Sequence, residues 1–432
     1  MKILLASSNL ENSPAPVFPL GLSVLAKSLR QAGHEIQIFD WLTHDGQEES
    51  LRAVLAAFSP ELIGIGVRNI DNVDSLNLVF YLDDLLRMTT LIRQLSPAPI
   101  VLGGAGYSLL PEDILAFTGA DYGIVGAGEE AMPQLADTLA KGQSIAKIIR
   151  ASTPRFFGGA DYDRNILSYY LSEGGAAPLQ TKRGCPHNCV YCAYPLLEGS
   201  CVRSRDTDEL LCELDFLRRE YSPSLIYFTD SIFNAPGGSQ WELLDRMARQ
   251  GISIPWTAFF SPQKFTAEEI GLMKRTGLKV AELGLDALCD TTLKGLGKNY
   301  DFSCATTAVS SLRRTGATVS CSAMAGGPEE NDATLREGMQ NLKMLDTVPV
   351  FVFMGIRILP NTPLEAIARH EGVLSAGESF LRPKFYLSPK IAPEKLYQVL
   401  REGTNSLKNL IFPPQSRNES LRKLRLALGG KA

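Results

Sequence analysis

Short, almost wholly apolar runs alternate with amphipathic stretches along most of this chain, and that alternation limits its fold more than any other feature. From residue 1 to about 145 the order is KILLAS, then GLSVLAKSLRQAG closed by Gly33, then EIQIFD, ESLRAVLAAFSP, LIGIGV, a helical stretch near 76–95, PIVLGG, PEDILAFTG and YGIVGAG. Strands apolar on both faces, separated by segments of helical period, make a parallel sheet covered by helices on both sides. Residues 1–145 are therefore expected to form a doubly wound α/β domain, with ligands at the carboxyl ends of its strands. The loops leaving those ends are SSNLENSPAPVFPLG, RNIDN, GGAGYS and GAGEE. Their glycines allow a ligand close to the backbone. No G-x-G-x-x-G follows the first strand, so these loops do not form a dinucleotide fingerprint.

Residues 146–176 are rich in Gly, Asp and Pro without periodicity and read as a linker. A second series follows from 177 to 372: PLQTKRG, DTDELLCELDFLRREY with Asp206 or Thr207 as N-cap, SLIYFTD, SQWELLDRMARQG, SIPWTAFF, TAEEIGLMKRTG, KVAELGLD, FSCATTAVSSLRRTG, TVSCSAMAGG, NDATLREGMQNLKML and VPVFVFMGIRI. About six βα repeats in succession predict a partial (β/α)6 barrel working at the C-terminal rim of its strands. Residues 373–432 read as a helical extension ending in a basic stretch at 417–432.

With 432 residues, two cores are expected. The net charge of -4 gives no general attraction to nucleic acid or anionic membranes. No apolar run approaches the roughly 20 residues that span a bilayer. MKILLASSNL reads as a first strand rather than a signal peptide, so a cytoplasmic location is expected.

Eight cysteines without regular spacing make no disulfide framework. Three of them, Cys185, Cys189 and Cys192, form C-x₃-C-x₂-C in TKRGCPHNCVYCAYP. Thiolates suit zinc or iron–sulfur clusters. A structural zinc site needs a fourth ligand, and His187, between two ligand positions, is poorly placed to be one. A four-iron cluster on three cysteines leaves one iron open for a reacting molecule.

The triad, with Tyr191 before its last cysteine and opening a series of βα repeats, resembles the radical S-adenosylmethionine (SAM) enzymes. In that family SAM chelates the open iron of a [4Fe-4S] cluster and is cleaved to a radical that abstracts hydrogen from carbon. The resemblance continues in SLIYFTDSIFN, with Asp230 at the usual acid. It extends to VAELGLDALCDTTLKGLGK, where Glu282 matches the first Glu of V-E-x-G-x-E-S, Asp286 replaces the second, and an L-x-K follows. It reaches SAMAGGPEE (Gly326, Gly327) and GIRILPNTPL, where Asn361 replaces a glycine. It implies that Cys185, Cys189 and Cys192 hold the cluster, and that Tyr191, Asp230, Glu282, Asp286, Gly326 and Gly327 bind SAM.

The first 145 residues resemble the Rossmann-like cobalamin-binding domain of cobalamin-dependent members of the same group. That likeness places Ser8, Pro19, Leu20, Gly21, Val67, Arg68, Asn69, Gly103, Gly104, Ala105, Gly126, Gly128 and Glu129 around the corrin and its nucleotide tail. Methionine synthases and mutases bind cobalt through the His of D-x-H-x-x-G. Here Asp40, His44 and Gly46 stand in another register, which implies base-off cobalamin without a histidine ligand, with Arg68 or Asn69 approaching its lower face.

The resemblance implies C-methylation of an unactivated carbon, with the radical chemistry carried by the cofactors and no side chain assigned a catalytic role. The alternative is a cobalamin-dependent cyclase or ring-rearranging enzyme. The partners implied are a small-molecule or lipid-like substrate and an electron donor such as flavodoxin or ferredoxin, with no nucleic acid.

Overall fold

The computed structural model describes residues 1–13, 15–154 and 157–417; of the basic stretch, residues 418–432 lie outside them. The chain divides into two compact units, Met1–Asn72 with Val79–Gly175, and Val73–Leu78 with the chain from Ala176 onward.

The first unit runs β1 (Lys2–Ser7), α1 (Leu20–Gln31), β2 (Glu35–Asp40), α2 (Glu48–Phe58), β3 (Leu62–Gly66), α3 (Leu82–Leu95), β4 (Ile100–Gly103), α4 (Ala105–Leu109), α5 (Pro111–Thr118), β5 (Tyr122–Val125), α6 (Gly128–Ala140), β6 (Ile148–Arg150) and α7 (Arg164–Ser172). Its six strands are parallel in the order β2-β1-β3-β4-β5-β6. The order reverses at β1, so the loops after β1 and β3 flank the crevice where such sheets bind ligands. Ile3, Leu4, Leu5, Leu62, Ile63, Ile100 and Leu102 are fully buried, as strands covered on both faces require.

Two expectations shift here. Residues 146–176 are no spacer, for they supply β6 as an edge strand and α7, capped by the Asp163 carboxylate. The helix near 76–95 begins only at Leu82. Before it, Asp71 and Phe80 form an antiparallel bridge, and the Asp74 side chain accepts from the amides of Leu76 and Asn77. An Asp that captures nearby amides makes a turn at the expense of the helix.

The second unit runs β7 (Ala177–Leu179), β8 (Lys182–Arg183), α8 (Tyr194–Glu198), β9 (Arg203–Ser204), α9 (Thr207–Tyr221), β10 (Ile226–Phe228), α10 (Gln240–Arg249), β11 (Trp256–Phe260), α11 (Ala267–Thr276), β12 (Leu278–Asp286), α12 (Asp290–Gly295), α13 (Phe302–Arg313), β13 (Thr318–Ala325), α14 (Asp332–Asn341), β14 (Val350–Met354), β15 (Ile356–Arg357), α15 (Pro363–His370), β16 (Phe385–Tyr386), α16 (Pro393–Ser406) and β17 (Leu410–Ile411). Seven strands form one parallel sheet in the order β17-β14-β13-β12-β11-β10-β7. Six are the expected barrel repeats. The seventh comes from the region read as a helical extension, where Leu410 and Ile411 pair with Val350 and Phe351. VPVFVFMGIRI is two strands rather than one, because Gly355 at φ 77° turns the chain and Ile356–Arg357 pairs antiparallel with Phe385–Tyr386.

Along β12 and β13 exposure alternates. Ala281, Leu283, Leu285, Cys321, Ala323 and Ala325 are buried, while Glu282, Gly284, Asp286, Ser320, Ser322 and Met324 are half-buried on the other face. The second set lines the concave side of the sheet. Phe259 on β11 and Phe351 and Phe353 on β14 share that face by register. Among the described residues no helix is long and apolar enough to cross a membrane.

Candidate functional site

In the first unit the loops at the carboxyl ends of β1, β3, β4 and β5 meet on one edge of the sheet. Gly104, at φ 98°, precedes α4, and a Cβ there would lie 2.6 Å from the Val67 carbonyl oxygen. The Gly106 amide donates to the carbonyls of Val67 (2.9 Å) and Arg68 (3.0 Å). Gly126, at φ 88°, donates to the Ser108 hydroxyl at 3.0 Å. The β3 loop is thereby pressed against the β4 loop. The exposed rim carries the polar side chains of Arg68 and Asn69 beside the open backbone of Gly104 and Ala105, where a ligand can approach the main chain closely. Ser8 and Val67 are buried, Pro19, Leu20, Gly103, Gly126, Gly128 and Glu129 half-buried, and Gly21 exposed.

Asp40, 1% exposed, ends β2 at this edge. Its carboxylate accepts from the Tyr170 hydroxyl at 2.6 Å and from the Leu42 amide, capping the turn Trp41–His44. Burial pushes the Asp40 carboxyl up to about 6, against the opposing hydrogen bonds from Tyr170, Leu42 and Ser7. The same burial, with Asp40 beside it, pushes the Tyr170 phenol up. His44 is exposed and stacks on Phe39 with ring centroids 5.1 Å apart.

In the second unit the cysteine loop is tied to four elements. Gly184, at φ 94°, enters it, and a Cβ there would lie 2.1 Å from the Cys201 carbonyl oxygen, so only glycine fits. The Cys185 amide donates to Gly199 O, Val190 N to Leu296 O, and Leu364 N to Val190 O. The Glu198 carboxylate accepts from Gly184 N at 3.2 Å and Ser231 Oγ at 2.9 Å. All three thiols are free. Burial pushes the Cys185 thiol up and Cys192 up to about 12, so these sulfurs ionise only where a cation takes their charge. Among the described residues no three His, Cys, Asp or Glu converge as ligands of a single ion do. Three thiols carried on one loop are the donor type that would suit an iron–sulfur cluster. Burial lowers His187 and keeps its imidazole neutral near pH 7.

Asp286 ends β12 at φ 65°, where the register to β13 slips. Aspartate tolerates this left-handed conformation better than glutamate, a reason for the shorter acid at this position. Its Oδ1 accepts from Tyr191 OH (2.8 Å), and its Oδ2 accepts from Tyr300 OH (2.9 Å) and faces Lys298 Nζ (2.7 Å). Lys298 also donates to Cys189 Sγ at 2.9 Å and Tyr191 OH at 3.0 Å. Burial pulls its ammonium down, but Asp286 and Cys189 outweigh that and hold it above the usual lysine value.

Asp230 is 5% exposed. Its oxygens accept from Thr181 N (2.7 Å), Lys182 N (3.1 Å), Thr181 Oγ1 (2.6 Å) and Lys182 Nζ (2.7 Å), while Lys182 also lies over the Phe233 ring. PLQTKRG is therefore not one strand. The Asp230 carboxylate draws Thr181 and Lys182 out of the sheet at Leu179 and aims the chain into the cysteine loop. Gly326 and Gly327 are buried, and a Cβ on Gly326 would meet Leu387 at 2.5 Å and Leu396 at 2.9 Å. Thus Tyr191 and Asp286 are joined to the cysteine loop directly. Asp230 acts on its entry, Glu282 stands on the concave face, Gly326 packs under the C-terminal segment at Leu387 and Leu396, and Gly327 packs against Ile356 and Leu296. Lys298, Tyr300, Lys182 and Glu198 belong to this site although the sequence reading did not single them out. For Lys298 the L-x-K after the fourth barrel strand was the available signal.

Comparison with known proteins agrees with both halves of this geometry. Residues 7–136 match the B12-binding domain, and residues 179–342 match the radical SAM superfamily. The chain belongs to the cobalamin-dependent radical SAM enzymes. It is 25% identical over 428 residues to tryptophan 2-C-methyltransferase of Streptomyces laurentii, covering 80% of this chain and 71% of that protein. It is 26% identical over 313 residues to hopanoid C-3 methylase of Methylococcus capsulatus, covering 66% and 57%. Its fold is similar to that of the radical SAM methyltransferase TsrM from Kitasatospora setae with tryptophan and a SAM analogue bound (TM-score 0.84, 22% identity, 100% of this chain and 96% of that one). It is also similar to that of OxsB with aqua-cobalamin bound (TM-score 0.73, 16% identity, 98% and 71%).

Proposed function

We propose that this enzyme transfers a methyl group to an unactivated carbon of a small-molecule or lipid-like substrate. Cys185, Cys189 and Cys192 would hold a [4Fe-4S] cluster that binds SAM, and the rim of Arg68, Asn69 and Gly104 would hold a cobalamin. When bound, the cluster supplies the electron that cleaves SAM, and the cobalamin the methyl group that replaces the hydrogen removed. The observation that carries this reading is the pairing of a B12-binding domain with a thiol triad loop in a chain whose curated relatives include two carbon methylases.

The protein's own residues bind and orient. Gly184 and the Glu198 carboxylate shape the thiol loop. Asp286, fixed by Tyr191, Tyr300 and Lys298, sets the edge at which SAM is read. The concave face offers a floor of Glu282, Ser320 and Ser322 between the rings of Phe259 on one side and Phe351 and Phe353 on the other. That face suits a largely apolar molecule carrying a few hydrogen-bonding groups. Holding it at near-attack distance is the protein's main contribution to rate.

The test is anaerobic reconstitution with iron, sulfide and cobalamin, followed by SAM carrying a deuterated methyl group, a reductant and candidate substrates. Transfer of the label to a product, with both 5′-deoxyadenosine and S-adenosylhomocysteine formed, supports methylation. Deoxyadenosine without S-adenosylhomocysteine overturns it and favours a ring-forming reaction.

A further inference from the structure

The contact between Lys298 and Cys189 is not needed to build the loop, which backbone bonds already hold, and it places a cation against a sulfur. Lys298 is fixed on both sides. Its amide donates to Leu293 O at 3.0 Å, and the preceding Gly297, at φ 73°, lies so close to the cysteine loop that a Cβ there would be 2.8 Å from Asn188 O. Its side chain is 8% exposed, with Nζ 2.9 Å from Cys189 Sγ and 2.7 Å from Asp286 Oδ2. The ammonium lies 5.1 Å from the Tyr191 ring centroid, which helps shield it from water. Its field reaches Cys185 and Cys192 as well.

We propose that Lys298 and Asp286 together set the potential at which the cluster accepts its electron, Lys298 raising it and Asp286 partly offsetting it, with the lysine kept in place by Cys189, Tyr191 and the Gly297 turn. The proposal rests on the reading that Cys185, Cys189 and Cys192 hold a four-iron cluster. Reduction adds one negative charge to a thiolate-bound cluster. A buried cation at hydrogen-bond distance from a ligand sulfur favours the reduced form, and an anion behind that cation opposes it. The step is one electron from an external low-potential donor, with no bond made or broken and no proton moved in the protein.

The experiment is an EPR-monitored potentiometric titration with dithionite and viologen mediators, without SAM, on the full reconstituted chain and its Lys298→Met, Lys298→Arg and Asp286→Asn variants. Iron and sulfide content is measured first; a wild-type chain that takes up neither overturns the cluster reading itself, separately from the proposal. In Lys298→Met the reduced-to-oxidised ratio at a fixed potential should fall about tenfold, about 59 mV for one electron. Asp286→Asn should shift the midpoint the opposite way, and Lys298→Arg should stay near wild type. Shifts of opposite sign are not what general damage to the loop produces. An unchanged midpoint in a fully loaded Lys298→Met, or shifts of the same sign in Met and Asn, overturns the proposal. If Lys298→Met takes up no iron, Asp286→Asn decides: a positive shift supports the proposal and none overturns it.

Discussion

The Tyr170 hydroxyl donates to the Asp40 carboxylate at 2.6 Å, joining a helix of the Gly- and Asp-rich segment to the end of the second strand across 130 residues of sequence. The carboxyl titrates near 6 in the folded protein, against an ordinary value of 3.8. A raised value means the folded state binds the proton more tightly than the unfolded one. The stabilisation is complete below about pH 3.8 and is lost as pH rises through about 6. Stability of the first unit should therefore fall by about 3 kcal/mol from this group between those values. Asp40→Asn removes that slope, which denaturant titrations at several pH values measure directly.

The buried Lys182–Asp230 pair should behave differently, because both charges are out of water and removing one leaves the other without its ionic partner. Removing one charge, as in Asp230→Ala, should cost about 3–5 kcal/mol. The double replacement Lys182→Met with Asp230→Leu should recover only part of that, because the Thr181 and Lys182 amides and the Thr181 hydroxyl still lose their acceptor. Thermal melts of the cofactor-free chain report it. The double variant should still load iron poorly, since the Thr181 and Lys182 amides lose the acceptor that directs them into the thiol loop.

Gly184→Ala should abolish iron uptake, for the added carbon has nowhere to go beside the Cys201 carbonyl. Cobalamin retention, followed by visible absorbance after desalting, should be unchanged.

Replacing Cys185, Cys189 and Cys192 together by Ala should likewise remove iron and deoxyadenosine formation while leaving cobalamin bound, because each unit has its own core. Loss of cobalamin from this variant would show that the two sites fold as one.

What could be read from the chain alone was whatever repeats or lies close in sequence. The βα alternation, the thiol triad and the glycine loops were legible because a few adjacent residues define each. The polar contacts that give the site its charge were not. Lys298 meets Cys189 across 109 residues, and Asp230 meets the Thr181 and Lys182 amides across 49 and 48. Nothing local in SLIYFTD distinguishes an aspartate that binds a ligand from one that redirects a neighbouring strand. The short β8 and β9 escaped notice for a related reason: two residues carry no period.

The pairing of Leu410 and Ile411 with β14 has a consequence for how the chain is made. Synthesis proceeds from the N-terminus at about 5–20 residues per second, so the first unit can close while the second is still emerging. The edge of β14, with Phe351 and Phe353 nearby, waits several seconds for its last neighbour, a time during which unpaired edges attract other chains. A nascent enzyme of this design is most prone to aggregate between the synthesis of β14 and that of β17, and that is where chaperone binding should concentrate.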